Sequence, residues 1–362
     1  MSSCNISAHI EKIARLPFLN EKQRMRRLCI YLVLGMDCNM GCTYCFYKNR
    51  INSVDNVGVT DEFIKFLQVE LPSKIPPGTH IPIQFWGGEP LMYMDKIKYI
   101  VDSVKHLSCY KLLIVSNGRL LDSSTVDFCN LHNIGVGISH DGANSIDIRG
   151  YDAVVEKYSL INAINNFLGF SSVLSEQNSC VDAITSYFSN NRLLDDNHKN
   201  VRIYPQIPTD MQHNINVELI RTNTEKLLAN MTQKLNNGVL SVELGMIEGS
   251  IANYMFYQRD PGSVHNIGNS MRVNMTTNGR LFYTHGAEFE LGNLDTPLDV
   301  LYEKYKMTRE SMFKKWEECE QCEAFPLCMG GQLVGVRAGK NLCTVNEAYY
   351  GTICRFMKEI NI

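Results

Sequence analysis

The chain has 362 residues, 44% hydrophobic and 20% charged, with a formal net charge of -3. That size suits two domains of about 100–200 residues each, and that mix suits a globular fold with a real core. The balance argues against a nucleic acid held through its phosphates. No apolar run reaches the ~18 residues of a membrane span, and the polar N-terminus lacks a secretory signal, so a cytoplasmic chain is expected.

Residues 1–26 are polar and read as helical, ending in Lys22, Arg24, Arg26 and Arg27. Apolar strands follow at 29–34, 81–85, 111–115, 134–139, 167–174 and 200–206. Amphipathic helices are expected between them near 60–72, 92–106, 121–131, 152–165 and 180–190, the first opened by Thr60-Asp61-Glu62. Strands alternating with helices mean βαβ units, a parallel sheet and right-handed crossovers. Six repeats are too few for a closed eight-stranded barrel. Residues 211–258 have no strand-like run; Asn216–Leu235 and Val242–Arg259 read as two bridging helices. Met271–Met275 and Arg280–Tyr283 read as a hairpin turning at Asn278-Gly279.

Eight of the 13 cysteines fall in two groups, over residues 38–45 and 319–354. A disulfide framework would be shorter and evenly spaced, so the grouping points to metal. The first group is Cys38-Asn-Met-Gly-Cys42-Thr-Tyr-Cys45, directly after the first strand. Thiolates select zinc, Cu(I) or iron–sulfur clusters, and structural zinc takes four protein ligands. Three cysteines with no local fourth suit a [4Fe–4S] cluster with one open iron; a zinc knuckle is the alternative.

This stretch resembles the signature of the radical S-adenosylmethionine (radical SAM) superfamily, Cys-x3-Cys-x2-Cys with an aromatic, here Tyr44, before the last cysteine. The resemblance implies that Cys38, Cys42 and Cys45 are the catalytic cluster ligands. S-Adenosyl-L-methionine would chelate the open iron and be cleaved to a 5′-deoxyadenosyl radical. It also implies a partial (β/α)6 TIM-like barrel over 27–210, after the 1–26 segment, with a helical bridge over 211–265. Function in parallel α/β sheets sits at the carboxyl ends of the strands, and further motifs stand there. Gly87-Gly88-Glu89 resembles the motif that takes the methionine amino group. Ser116-Asn117-Gly118 resembles the family's Thr-Asn-Gly. Ser139-His140-Asp141-Gly142 and Ile146-Asp147-Ile148-Arg149 resemble a segment of the sulfatase- and peptide-maturase branch, with Ser139 and Arg149 candidates for the methionine carboxylate. Val173 and Ile203 are candidates to pack on adenine.

The second group contains Cys319-Glu-Gln-Cys322-Glu-Ala-Phe-Pro-Leu-Cys328 and resembles the SPASM region, a C-terminal domain that binds auxiliary clusters, here over 266–362. Three positions that hold one cluster's cysteines in that family are Ile267, His285 and Gln332 here. The resemblance therefore implies one surviving auxiliary [4Fe–4S] cluster on Cys319, Cys322, Cys328 and Cys354, with Cys343 the alternative fourth ligand and a zinc ribbon the alternative site. Cys4, Cys29, Cys109, Cys129 and Cys180 have no metal spacing and read as core filler.

The implied function is a radical SAM oxidoreductase that oxidatively modifies a ribosomally made peptide, by cross-linking or a related change. Alternatives are a dehydrogenase or epimerase of a small molecule such as an aminosugar or nucleoside, and an iron–sulfur carrier or scaffold without catalysis. Gly286, where sulfatase maturases have an acidic residue, counts against that activity. The implied partners are a peptide or small-molecule substrate, a reductant such as flavodoxin or ferredoxin, and a separate leader-binding protein.

Overall fold

A computed structural model describes residues 28–45, 58–205, 216–237, 250–251, 254–255, 271–283, 289–313, 319, 321–328 and 340–360. The helix expected over 1–26, most of that over 242–259, and positions Ile267, His285, Gly286 and Gln332 lie outside them.

Six parallel strands fall where the apolar runs place them: β1 Leu28–Val33, β2 Ile81–Trp86, β3 Tyr110–Ser116, β4 Gly135–Ser139, β5 Phe167–Leu174 and β6 Val201–Pro205. The crossovers carry α1 Asp61–Lys65, α2 Leu71–Lys74, α3 Met94–Val104, α4 Ser123–Leu131, α5 Ser145–Arg149, α6 Ala153–Asn162 and α7 Val181–Ser189. Side-chain caps fix their starts: Thr60, Asp122 and Asp152 accept the Phe63, Thr125 and Val155 N–H groups. A single π-helical turn, Phe66–Glu70, joins α1 to α2. The bridge begins with α8 Val217–Asn236, which packs on α7.

The C-terminal hairpin, β7 Met271–Thr276 and β8 Leu281–Phe282, does not stand apart from the barrel. β7 pairs in parallel with β1, from Leu28↔Met271 to Val33↔Thr276. With β9 Glu290–Gly292 the sheet is nine-stranded, in the order β6-β5-β4-β3-β2-β1-β7-β8-β9. After it come α9 Leu298–Phe313, α10 Phe325–Cys328, α11 Lys340–Asn346, a second π-helical turn Glu347–Gly351, and α12 Thr352–Glu359. α8 also packs against α11, this turn and α12. None of the described helices is long and apolar enough to cross a membrane.

Directly paired residues share a face, because side chains alternate along a strand. One face of β1–β7 holds Ile30, Leu32, Ile83, Phe85, Ile114, Ile138, Phe170, Leu174, Val273 and Met275, all buried in the main core cluster. The other carries Tyr31, Gln84, Ser139, Ser171, Val173, Arg202, Tyr204, Arg272, Asn274 and Thr276. The apolar face drives the helices onto the sheet; the polar face is left for function.

Candidate active site

The first cysteine loop is clamped at both ends. At its start, Leu34 N–H donates to Trp86 O at 2.9 Å, Gly88 N–H to Gly35 O at 3.1 Å and Glu89 N–H to Asp37 O at 2.9 Å. Gly87 and Gly88 make this approach feasible: a Cβ on Gly87 would stand 2.1 Å from Gly35 O, and one on Gly88 2.2 Å from Asp37 O. The close approach that the two glycines allow here is that of the chain's own cysteine loop. Asp37 N–H also donates to Tyr93 Oη at 2.8 Å, and Lys96 Nζ to Leu34 O at 2.8 Å. At the far end Thr43 N–H donates to Ile148 O at 3.0 Å, and Thr43 Oγ1 to Gln177 Oε1 at 3.0 Å.

Two buried polar centres flank the loop. The first is Glu89, only 1% exposed. Its Oε1 accepts from Leu91 N–H at 3.0 Å and Ser116 Oγ–H at 2.7 Å, and its Oε2 from Asn117 N–H at 2.8 Å. Burial pushes its pKa up, while these donors pull it back. Among the described residues no Lys, Arg or His stands within ion-pair distance of it. Asn117 Nδ2 reaches from here to Asn39 Oδ1 at 2.8 Å and towards Cys38 Sγ at 3.9 Å.

The second centre is Asp141, which is fully buried. Arg149 Nε donates to its Oδ2 at 2.6 Å, Tyr44 Oη–H donates to the same oxygen at 2.7 Å, and Val173 N–H donates to Oδ1 at 2.9 Å. Arg149 Nη2 donates to Tyr44 Oη, and its Nη1 points to Cys42 Sγ at 3.9 Å. Burial works against the charge on Arg149, but Tyr44, Asp141 and Cys42 beside it hold its pKa above the ordinary value. Burial pushes the Tyr44 phenol well up. The guanidinium is thus a buried, committed group and not a surface charge. Below it, Gly142 N–H donates to His140 Nδ1 at 3.1 Å, which leaves Nε2–H to donate to Asp152 Oδ1 at 2.9 Å. Tyr187 Oη–H donates to Asp152 Oδ2 at 3.0 Å.

Beside the cysteine loop and Arg149 lies an open cavity of about 640 Å³, lined by Cys38, Asn39, Met40, Arg119, Asp147 and Arg149 among others. Cys38 is exposed, and Cys42 and Cys45 are half-buried. Among the described residues no three His, Cys, Asp or Glu side chains close on a point that would hold a single metal ion. The donor set suits a soft iron–sulfur group: three thiols, two of them with an N–H donor directed at the sulfur, beside an enclosed carboxylate.

At the second group, Cys322 N–H donates to Cys319 O at 3.2 Å, closing the turn that leads into α10. Asn346 Nδ2 donates to Cys328 Sγ at 3.2 Å. Cys354 is fully buried on α12, and burial pushes its thiol up to about 12, with Lys358 opposing and Glu323 and Cys322 adding. Cys343 is exposed on α11. Arg355 Nη1 pairs with Glu323 Oε2 at 2.7 Å beside the buried thiol.

Ser139 lies half-buried at the end of β4, on the polar face of the sheet. Val173 shares that face, but Ile203 does not. Ile203 pairs with Ser172, is 5% exposed and belongs to the core under the helices. The residue paired with Val173 is Tyr204, 43% exposed. Choosing one residue later on β6 would have respected the two-residue period. Asp141 was also missed as a site residue, although it stands inside a motif already singled out. Its signal was an acidic residue at a strand end with a basic residue eight positions on.

Residues 26–140 match the family model described as a 4Fe-4S single cluster domain. Over 182 residues the chain is 26% identical to the radical SAM cyclopropyl synthase TigE of Paramaledivibacter caminithermalis, covering 43% of this chain and 39% of TigE. Over 118 residues it is 30% identical to a cysteine-type anaerobic sulfatase-maturating enzyme of Clostridium perfringens, covering 30% of this chain and 31% of that enzyme. The matched stretch thus spans well under half of each relative. The structure of anSMEcpe with bound AdoMet superposes with a TM-score of 0.69 at 19% identity, over 93% of this chain and 98% of that one. The chain is thus similar to radical SAM proteins. Streptococcus suis SuiB shares the fold of this chain with a TM-score of 0.55 at 17% identity, over 90% of this chain and 75% of SuiB.

Proposed function

We propose that this chain is a radical S-adenosyl-L-methionine enzyme that oxidatively modifies a peptide. The observation that carries the reading is Glu89: a carboxylate 1% exposed, held by three donors, with the Arg149 charge acting on it but no cation within ion-pair distance among the described residues. A buried charge without a partner is costly, and a ligand ammonium bound next to the cysteine loop would supply the missing charge. A [4Fe–4S] cluster on Cys38, Cys42 and Cys45 would supply the electron that cleaves S-adenosylmethionine when both are bound.

The chain's own residues then have separable duties. Glu89 takes the amino group, while Asn117 holds Asn39 and directs an N–H at Cys38. Gly87 and Gly88 keep the loop against the strand ends. Asp141 fixes Arg149, whose guanidinium faces both Cys42 and the cavity; Ser139 and Arg149 are the candidates for the ligand carboxylate. Tyr44 braces the pair. Val173 and Tyr204 offer apolar surface on the polar face. Cys319, Cys322, Cys328 and Cys354 would hold a second cluster, with Cys354 favoured over Cys343 by its burial beside Cys322. A reductant such as flavodoxin or ferredoxin would deliver the electron.

A peptide substrate is supported by similarity to a sulfatase-maturating enzyme and a cyclopropyl synthase, and by the shared fold with anSMEcpe, one of whose structures holds the Cp18Cys peptide. The test is anaerobic reconstitution, reduction and addition of S-adenosylmethionine. Formation of 5′-deoxyadenosine by the wild-type chain, and not by Glu89→Ala at the same iron content, is the expected result. Equal formation by both would remove the basis of the reading.

A further inference from the structure

The polar face of the sheet is one-sided in charge. On β1–β7 it carries Lys111, Arg202 and Arg272 and not one Asp or Glu, as the register shows. Arg272 pairs with Cys29 and Asn274 with Tyr31 in the β1–β7 ladder, so both lie on this face, two residues apart. Arg272 acts on the ionisation of Tyr31, as do Tyr204 from β6 and Tyr305 from α9. The sheet therefore brings these groups near one another. Arg272 has no carboxylate within ion-pair distance among the described residues.

Asn274 supplies an independent sign of a ligand. It is 3% exposed, and its Nδ2 donates to Tyr283 O at 3.2 Å, which fixes the amide's orientation. Among the described residues its Oδ1 is buried without any hydrogen-bond partner. An unmet buried acceptor costs about 1–3 kcal/mol. The face thus offers a guanidinium fork that wants an anion and, beside it, an acceptor that wants an N–H.

We propose that Arg272 and Asn274 anchor a peptide substrate by a carboxylate and the amide N–H next to it, as a C-terminal residue presents them. This rests on the enzyme reading above and names what the same site would recognise. The planar fork matches a carboxylate; a phosphate would answer Arg272 and leave Asn274 Oδ1 unmet. Depth sets the substrate's length. Arg272 lies four residues before Thr276, which pairs with the last residue of β1, just below the cysteine loop. At about 3.3 Å per residue that is ~13 Å, the length of about four extended peptide residues. The reacting carbon then lies about four residues from the anchored carboxylate.

The test is ligand-observed NMR on the full, reconstituted chain without S-adenosylmethionine. The probes are Ac-Gly-Gly-Gly-Ala with a free carboxyl group and the same peptide as its C-terminal amide. The acid should bind at least about tenfold more tightly than the amide. Arg272→Gln should abolish that preference, Arg272→Lys should keep part of it, and Arg202→Gln should leave it intact. Asn274→Asp gives Arg272 an internal carboxylate and should abolish the preference without removing the guanidinium. Equal binding of acid and amide to the wild-type chain, or a preference that survives in both Arg272→Gln and Asn274→Asp, overturns the proposal. Assaying 5′-deoxyadenosine in parallel separates the two readings: a chain that cleaves S-adenosylmethionine but binds acid and amide alike defeats this anchor alone.

Discussion

Cys38, Cys42 and Cys45 sit on a loop whose place is set by backbone hydrogen bonds from strand ends, whereas Cys328 and Cys354 sit on short helices that pack among themselves. At the first group the charges nearest the sulfurs are enclosed and unevenly matched: among the described residues Glu89 has no cation within ion-pair distance, and Arg149 already has Asp141. At the second, Glu323 is matched by Arg355 and Lys358, and Cys354 is fully buried beside them. The difference teaches how one chain divides its labour. Under the proposed function, the loop would leave a cavity and a carboxylate for a ligand that comes and goes, and the helical group would close on itself as a site for storing or passing electrons.

Five tests break or sharpen that contrast. The largest effect belongs to the loop: replacing Cys38, Cys42 and Cys45 together by Ala should remove about half of roughly eight irons, read by iron analysis, and all formation of 5′-deoxyadenosine. Glu89→Gln should weaken S-adenosylmethionine binding about tenfold to a hundredfold, the ~1.5–3 kcal/mol of a charged hydrogen bond. Calorimetry at unchanged iron content reads it. Cys354→Ala should alter the EPR signal of the second cluster and spare the first, while Cys343→Ala leaves both; the reverse pattern would transfer the fourth ligand to α11. Arg149→Gln removes the donor aimed at Cys42 Sγ and should make the first cluster's reduction potential more negative, with Arg149→Lys between, by spectroelectrochemistry without S-adenosylmethionine. The smallest change is expected for Arg355→Ala. Its pair with Glu323 is about a third exposed, so the loss should stay within about 1 kcal/mol in a denaturant melt.

Much of the barrel was legible because the parallel strands are mostly apolar and several crossover helices open on a side-chain cap. The cysteine loop was legible because its ligands lie within eight residues. The β1–β7 pairing was not, since a strand's sequence does not name its partner. Met271, Val273 and Met275 alternating with Arg272, Asn274 and Thr276 repeat the barrel strands' own pattern, a cue that the hairpin reading passed over. Ile203 was misplaced for a related reason: apolar character marks a core position as readily as a ligand contact. The roles of Gly87, Gly88 and Asp141 depend on contacts between segments far apart in the chain, which only the folded molecule brings together.

The π-helical turn Glu347–Gly351 lies between Asn346, which holds Cys328, and the helix that carries Cys354. Each residue of an α-helix turns the chain by about 100°, and one extra residue in a wide turn shifts the phase of everything beyond it. The azimuth of Cys354 relative to Asn346 is therefore set by a residue count. Deleting a single residue from this turn would leave a more regular helix with every cysteine still present in the sequence. It would also swing the Cys354 thiol roughly a quarter-turn away from Cys322. A homologue aligned by its cysteines alone could share all four and still have the geometry of none.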